Sequence, residues 1–257
     1  MAKVRKASQK VSESKEYSKE MKKVGDLVLS KIGETLIHPL LQKNSSKKIL
    51  AIILSTDRGL CGSLNTSLFS NFLHWAKNKS DLSVITIGKK GKEFAIRSGL
   101  EIVASFDAFS KEINLSDIIP ISSIVSKKYL SNEFGEVYLF YMNFVNLGVQ
   151  NPIGTRILPL ERSEVDIDIN SDSNLEFTFE PSVKEIVDYL VPKLFEFQIF
   201  RASMENFASE HASRMIAMKN ASDNAGEMID DLTLNFNKAR QAQITKEIAE
   251  IVSGSVS

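Results

Sequence analysis

The stretch Met204–Ser257 constrains the fold more than any other part of this chain. It contains no proline and only two glycines, Gly226 and Gly254, so nothing interrupts a helix before its end. Every third and fourth residue gives Met204, Ala208, His211, Met215, Met218, Ser222, Ala225, Ile229, Leu232, Phe236 and Ala239, one seam at heptad spacing. Arg214, Lys219, Asp223, Asp230, Asp231, Lys238 and Arg240 occupy the other faces. The expected element is a long rod with one apolar edge.

The opposite end of the chain carries a second seam. From Lys3 to about Ile37, Val4, Ala7, Val11, Ser14, Ser18, Met21, Gly25, Val28 and Ile32 recur at the same spacing, and Pro39 ends the pattern. These side chains are small and bury little apolar surface, so this helix requires a partner helix. Two helices that leave and re-enter one block are expected to pair as an antiparallel coiled coil. Placing residues near 36 beside residues near 190 sets Lys3 level with Asp223. That count leaves Met228, Ile229, Leu232 and Phe236 without an N-terminal partner, costing about 1.5–3 kcal/mol per large side chain left in water.

Between the helices the pattern changes. Lys48–Ser55, KILAIILS, is a continuous apolar run, as expected of a strand buried on both faces. A glycine-containing loop, Thr56–Ser63, precedes a helix with Leu68, Phe69, Phe72, Leu73 and Ala76 on one face and Asn65 or Thr66 as its cap. Strands over Leu82–Ile87, Leu100–Ala104 and Glu136–Val145 alternate with helices over Lys92–Arg97 and Leu115–Leu130. This rhythm predicts a mostly parallel, Rossmann-like sheet. An edge strand over Arg156–Val165 is expected next, then an acidic solvated loop, and Phe179–Ser182 opens the final helix, with a kink or late start at Pro192. The seam of that helix begins at Val187, Leu190, Leu194 and Phe197. The fold class is thus α/β, a coiled coil of terminal helices with an inserted Rossmann-like domain. Its parts are an N-terminal helix (1–40), the α/β domain (47–165), the acidic connection (166–181) and the long C-terminal helix (182–257).

Bulk charge does not suggest a nucleic-acid partner, because 32 basic residues balance 32 acidic ones. Local charge is uneven. Lys3, Arg5, Lys6, Lys10, Lys15, Lys19, Lys22 and Lys23 face only Glu13, Glu16 and Glu20, a pattern that fits a solvated face or an acidic protein partner. Cys61 is the one cysteine, which excludes an internal disulfide. No apolar run approaches the roughly 18 residues of a membrane span, and the N-terminus has neither a secretory apolar core nor transit-peptide composition.

No motif carries catalysis. Asp57–Gly62 follows a strand and precedes a helix, where phosphate loops sit. It lacks GxGxxG, however, and no Gly-Lys-Ser/Thr completes a P-loop; Gly88-Lys89-Lys90-Gly91 fails the same test. Cys61 has no motif partner among His38, His74 and His211, and these histidines lack metal-ligand spacing. Met204, Met215 and Met218 read as ordinary seam residues. No cofactor or metal is expected. Two other classes remain open on these residues: a nucleotide-using enzyme at Asp57–Asn65 and a self-associating coiled-coil scaffold.

The segment Ser55–Asn65, STDRGLCGSLN, closely resembles the SDRGLCGGLN loop of the gamma subunit of F-type ATP synthases. Phe179–Ser182 resembles that family's YEPS, and Ala208–Met215 resembles ASEHAARM. Asn235, Arg240, Gln241 and Ala242 match N-x-x-x-x-R-Q-A. Ile244, Thr245, Glu247, Glu250 and Gly254 match the C-terminal I-T-x-E-x-x-E and its glycine. Ser63 and Ser255 replace the usual Gly and Ala. Lys3–Ala7 is similar to AKLRRA, so Met1 falls within what is a longer helix in the family, and the ITKAM stretch is missing; a misplaced start, or a surface that replaces the helix, is the expectation.

The resemblance implies a non-catalytic central-stalk rotor of a proton-translocating ATP synthase. Its implied partners are the alpha and beta subunits, the epsilon subunit and the membrane c-ring, with no nucleic acid and membrane association only through the complex. It also implies contact of Arg240 and Gln241 with the beta-subunit catch loop, and Thr245 and Glu247 belong to the same signature. Lys3, Arg5 and Lys6 are expected near the acidic DELSEED-type segment of beta. The expected location is peripheral, on the cytoplasmic face of a bacterial inner membrane. Redox control of the plastid type is not expected in a chain without a dithiol.

Overall fold

The computed structural model describes residues 38–109, 113–160 and 182–254, together with Gln9, Val11, Glu16 and Glu20. A short 3-10 turn, Pro39–Leu41, leads into the strands β1 (Ile49–Leu54), β2 (Leu82–Ile87), β3 (Glu101–Phe106), β4 (Glu136–Phe144) and β5 (Gln150–Leu158). The helices are α1 (Leu64–Ala76), α2 (Lys89–Arg97), α3 (Leu115–Leu130) and α4 (Val183–Gly254).

The strand order is β3-β2-β1-β4-β5. The first four run parallel, and β5 lies antiparallel on the edge beside β4. Every residue of β1 is buried, because helices cover both faces of the sheet. Leu50, Ile52 and Leu54 point into the core shared with α3 and α4, whereas Ala51 and Ile53 point toward Leu64, Leu68, Phe72 and Phe94 of α1 and α2. The period-two alternation of strand side chains thus divides one apolar run between two cores. On the second face Phe72 meets Phe140 edge-on at 5.1 Å, and Trp75 reaches Phe140 at 4.9 Å.

Several boundaries differ from the sequence expectation for physical reasons. Helix α1 begins at Leu64 after Ser63, with no side-chain cap bond. Asn65 is used elsewhere: its Nδ2 donates to Thr56 Oγ1 at 2.8 Å. Helix α2 starts three residues before the expected Lys92. Of the expected strand Arg156–Val165, residues 161–165 lie outside the described residues, and the strand observed is Gln150–Leu158, which forms a hairpin with β4. Pro152 and Gly154 disguise it. Pro152 tolerates its missing N–H on an edge strand, and Gly154 lies beneath the Phe140 ring, where a Cβ would stand 2.3 Å from a ring carbon.

Helix α4 starts at Val183 and runs through Pro192 without a break. Ser182 caps it, its Oγ accepting from the Glu185 N–H at 3.2 Å. Most of the N-terminal helix and the acidic connection 166–181 lie outside the described residues. Gln9, Val11, Glu16 and Glu20 are helical, and Val11, a seam residue, is buried in the core that also receives Met215. The antiparallel count sets these two residues level.

Candidate functional site

Two regions of α4 emerge, a docked half and a free half. The docked half crosses the carboxyl ends of the strands. Open α/β sheets take ligands there, at the point where strand order reverses, which here is the gap between β1 and β4. Helix α4 fills that gap. Met142 lies beyond the end of β1's pairing, so its in-plane N–H and C=O have lost their strand partner. Asn206 Oδ1 accepts from the Met142 N–H at 3.1 Å, and Ser209 Oγ donates to the Met142 C=O at 3.0 Å. One turn further on, Ser213 Oγ donates to the Cys61 C=O at 2.6 Å. Arg214 donates to the carbonyls of Arg58 at 3.2 Å and Gly59 at 3.4 Å, and pairs with Glu210 at 2.8 Å.

This docking explains the Asp57–Gly62 loop without a nucleotide. Between Leu54, Ser55, Ile87, Asn206, Phe207 and Glu210 about 10 Å³ stays open, which is no more than one water needs. The backbone N–H groups at the N-terminus of α2 are taken as well. The Lys89 N–H donates to Asp57 Oδ1 at 3.0 Å, the Lys90 N–H to the Thr56 C=O at 3.0 Å, and the Gly91 N–H to Ser55 Oγ at 2.7 Å. Gly88 and Gly91 serve this close approach: a Cβ on either would meet Ser55 at 2.5–2.7 Å.

Cys61 is buried, and its Sγ accepts from Asn65 Nδ2 at 3.5 Å. His38 caps the 3-10 turn through Nδ1, which accepts from the Leu40 N–H at 3.1 Å. His74 lies in α1, and His211 packs edge-on against Phe207. The three thus lie in different elements. Among the described residues no group of His, Cys, Asp and Glu side chains is placed to hold a metal ion. Buried charge concentrates at the docked helix. Burial raises the Glu210 carboxyl above its ordinary range, Asp57 adds in the same direction, and the Arg214 ion pair opposes without prevailing. Burial likewise raises the Tyr141 phenol, beside Glu205 and Arg201.

The free half begins at Met218. From there to Ile251 every residue is exposed except the half-buried Asn237. Met228, Ile229, Leu232 and Phe236 are 61–65 % exposed, as the antiparallel count anticipates. Arg240, Gln241, Thr245 and Glu247 all lie here. At 100° per residue, Arg240 and Glu247 share one face, while Gln241 and Thr245 share another about 120° away. Exposed Ile244, Ile248 and Ile251 run between the two faces. The local bonds are internal to the helix: Thr245 Oγ1 donates to the Gln241 C=O at 2.8 Å, and Gln243 Nε2 to Glu247 Oε1 at 3.2 Å. Lys3, Arg5 and Lys6 lie outside the described residues.

The sequence reading missed the polar contacts of the docked half. It placed Arg214 on a face away from the seam and followed the apolar seam alone. The readable signal was the recurrence of Ser203, Asn206, Ser209 and Ser213 inside an otherwise apolar face, unusual for a surface that buries only carbon.

A protein-family model described as "ATP synthase" matches residues 1–257. The ATP synthase gamma chain of Pelotomaculum thermopropionicum is 40% identical over 256 residues, covering 99% of this chain and 88% of the relative. That of Glaesserella parasuis is 38% identical over 261 residues, covering 99% and 89%. Among solved structures, a chain of the Tetrahymena thermophila mitochondrial ATP synthase central stalk and c-ring superposes with a TM-score of 0.63 at 22% identity, covering 86% of this chain and 95% of that one. A chain of the Euglena gracilis mitochondrial ATP synthase gives 0.62 at 18%, covering 99% and 94%. At these identities the superpositions speak for the fold.

Proposed function

Since the chain belongs to the ATP synthase gamma-chain family, we propose that it acts as a central-stalk rotor, non-catalytic in itself, that couples rotation of a membrane ring to conformational change in catalytic beta subunits. The observation that carries this reading is the division of α4: one continuous helix is fixed in a folded block along its first half and stands exposed along its second. From Met218 to Ile251 the exposed part extends about 50 Å at 1.5 Å per residue. A shaft of that length reaches into a ring of alpha and beta subunits, while the α/β block remains outside with the epsilon subunit and the c-ring.

Coupling then works through differential contact. A ligand or partner shifts an equilibrium only by the difference in its affinity for the two states. Moving a beta subunit from 1:99 to 99:1 between two conformations takes about 5.5 kcal/mol. In this reading Arg240 and Gln241 contact one beta subunit at a time, and hydrogen bonds to charged groups contribute about 1.5–3 kcal/mol each. Two or three such bonds, made at one angle and absent at the others, supply a large part of the required bias. Thr245 and Glu247 extend the same contact around the helix. Lys3, Arg5 and Lys6 face the acidic segment of beta, where exposed pairs are worth about 0–1 kcal/mol each, so they steer rather than hold.

None of the described helices is long and apolar enough to cross a membrane, and attachment through the complex to the cytoplasmic face of a bacterial inner membrane follows from the partners. Co-purification of the chain with alpha, beta and epsilon subunits tests the assignment. Replacing Arg240 and Gln241 together by alanine is expected to leave the melting temperature unchanged and to lower ATP synthesis about tenfold or more, the kinetic equivalent of roughly 1.4 kcal/mol. Unaltered synthesis and hydrolysis overturn the role of this pair.

A further inference from the structure

We propose that Asn206, Ser209 and Ser213 are positioning residues that fix the rotational setting of the shaft within the block, so that torque passes between the two through directional hydrogen bonds. The proposal rests on the central-stalk reading and names where in the chain the transmission takes place.

Apolar burial is non-directional, and what resists the rolling of a helix on a sheet is the interlocking of large side chains. Low in the docked half, buried Phe195 and Ile199 provide that interlock. Toward the exit of the shaft the fully buried apolar side chains are mostly small, Ala202, Ala208 and Ala212 beside Met204, and the larger Phe207 and Met215 are only part-buried. Packing at this level offers less interlock against turning of the helix about its own axis than Phe195 and Ile199 do below. The polar residues stand at this level. Asn206, Ser209 and Ser213 fall within an arc of about 60° over two turns. Ser209 is fully buried and Asn206 is 7% exposed.

Their partners are backbone atoms, which do not move independently of the block. Asn206 and Ser209 grip both in-plane groups of Met142 at the end of β4. Ser213 grips the Cys61 carbonyl in the loop after β1. Two separate elements therefore hold one face of the helix, and turning α4 about its axis stretches all three bonds together. An unmade buried donor or acceptor is costly to leave, so the setting is restored after each displacement.

The test uses the assembled complex with its alpha and beta subunits immobilised and a rotation probe on the block. The Asn206→Leu, Ser209→Ala, Ser213→Ala triple variant is expected to raise the angular variance of the probe at rest by about twofold or more, as restoring bonds are lost. The milder pair Ser213→Ala and Ser213→Thr provides a second reading at an edge position: the first raises the variance, and the second, which keeps the hydroxyl, returns it to the parent value. Variants that assemble with parental variance overturn the proposal, as does a Ser213→Thr variant no stiffer than Ser213→Ala. A parent chain that does not join the alpha and beta subunits overturns the central-stalk reading instead.

Discussion

The two halves of α4 have one backbone and opposite surroundings. In the docked half, side chains are specified by what they touch: Phe195 and Ile199 fill a core, and Asn206 and Ser209 replace the missing strand partner of Met142. In the free half Ile229, Leu232, Phe236, Ile244 and Ile251 are all exposed, and the side-chain hydrogen bonds of Thr233, Gln243 and Thr245 stay within the helix. The difference teaches that the docked half is written for folding and the free half for something outside the chain. A helix that had to stabilise only itself has no use for so much exposed apolar surface.

The sharpest way to break this contrast is to remove a phenyl ring from each half. Phe195→Ala empties a fully buried site and is expected to destabilise the block by about 3–5 kcal/mol. Phe236→Ala in the isolated chain is expected to stay within about 0.5 kcal/mol. Chemical denaturation of both variants reads the two values, and equal losses would erase the division.

A smaller effect separates the polar residues. Asn206→Leu leaves the buried Met142 N–H without an acceptor and is expected to cost about 1–3 kcal/mol. Thr245→Val removes only a local bond to its own helix and is expected to cost less than about 0.5 kcal/mol. Thermal melts at one pH compare the pair.

The smallest effect is a pH dependence confined to the docked half. Burial, with Asp57 adding to it, holds the Glu210 carboxyl above its ordinary range despite Arg214. A carboxyl raised by folding favours the fold while protonated; that contribution is present below its ordinary value and is lost as pH rises through the raised one. Glu210→Gln is expected to melt increasingly above its parent as pH climbs from about 4 toward neutrality. A difference independent of pH, or one that shrinks, contradicts the assignment of burial as the dominant cause.

How much of this was legible in the sequence depended on how local the cause was. Strand β2 and helix α3 fall where the sequence pattern places them, because burial on both faces and a helical apolar stripe are written in consecutive residues. Strand β5 was displaced, because Pro152 and Gly154 argue for a loop until an open sheet edge and an overlying Phe140 ring supply their reasons. Pro192 suggested a kink or late start, yet α4 passes through it. The grip on Met142 was hidden for another reason: it depends on β1 ending two residues before β4 needs a partner, a relation between strands more than 80 residues apart. Arg240, Gln241, Thr245 and Glu247 were legible only as a family motif, since among the described residues their side-chain hydrogen bonds stay within their own helix.

The most direct test of the central claim is to watch the block turn. Cys61 is the sole cysteine and is buried, so a cysteine introduced at exposed Lys77 gives one reactive site on the block for a probe. With the alpha and beta subunits fixed to a surface and ATP supplied, the account predicts rotation of the probe in one direction. A probe that stays still while the complex hydrolyses ATP contradicts it.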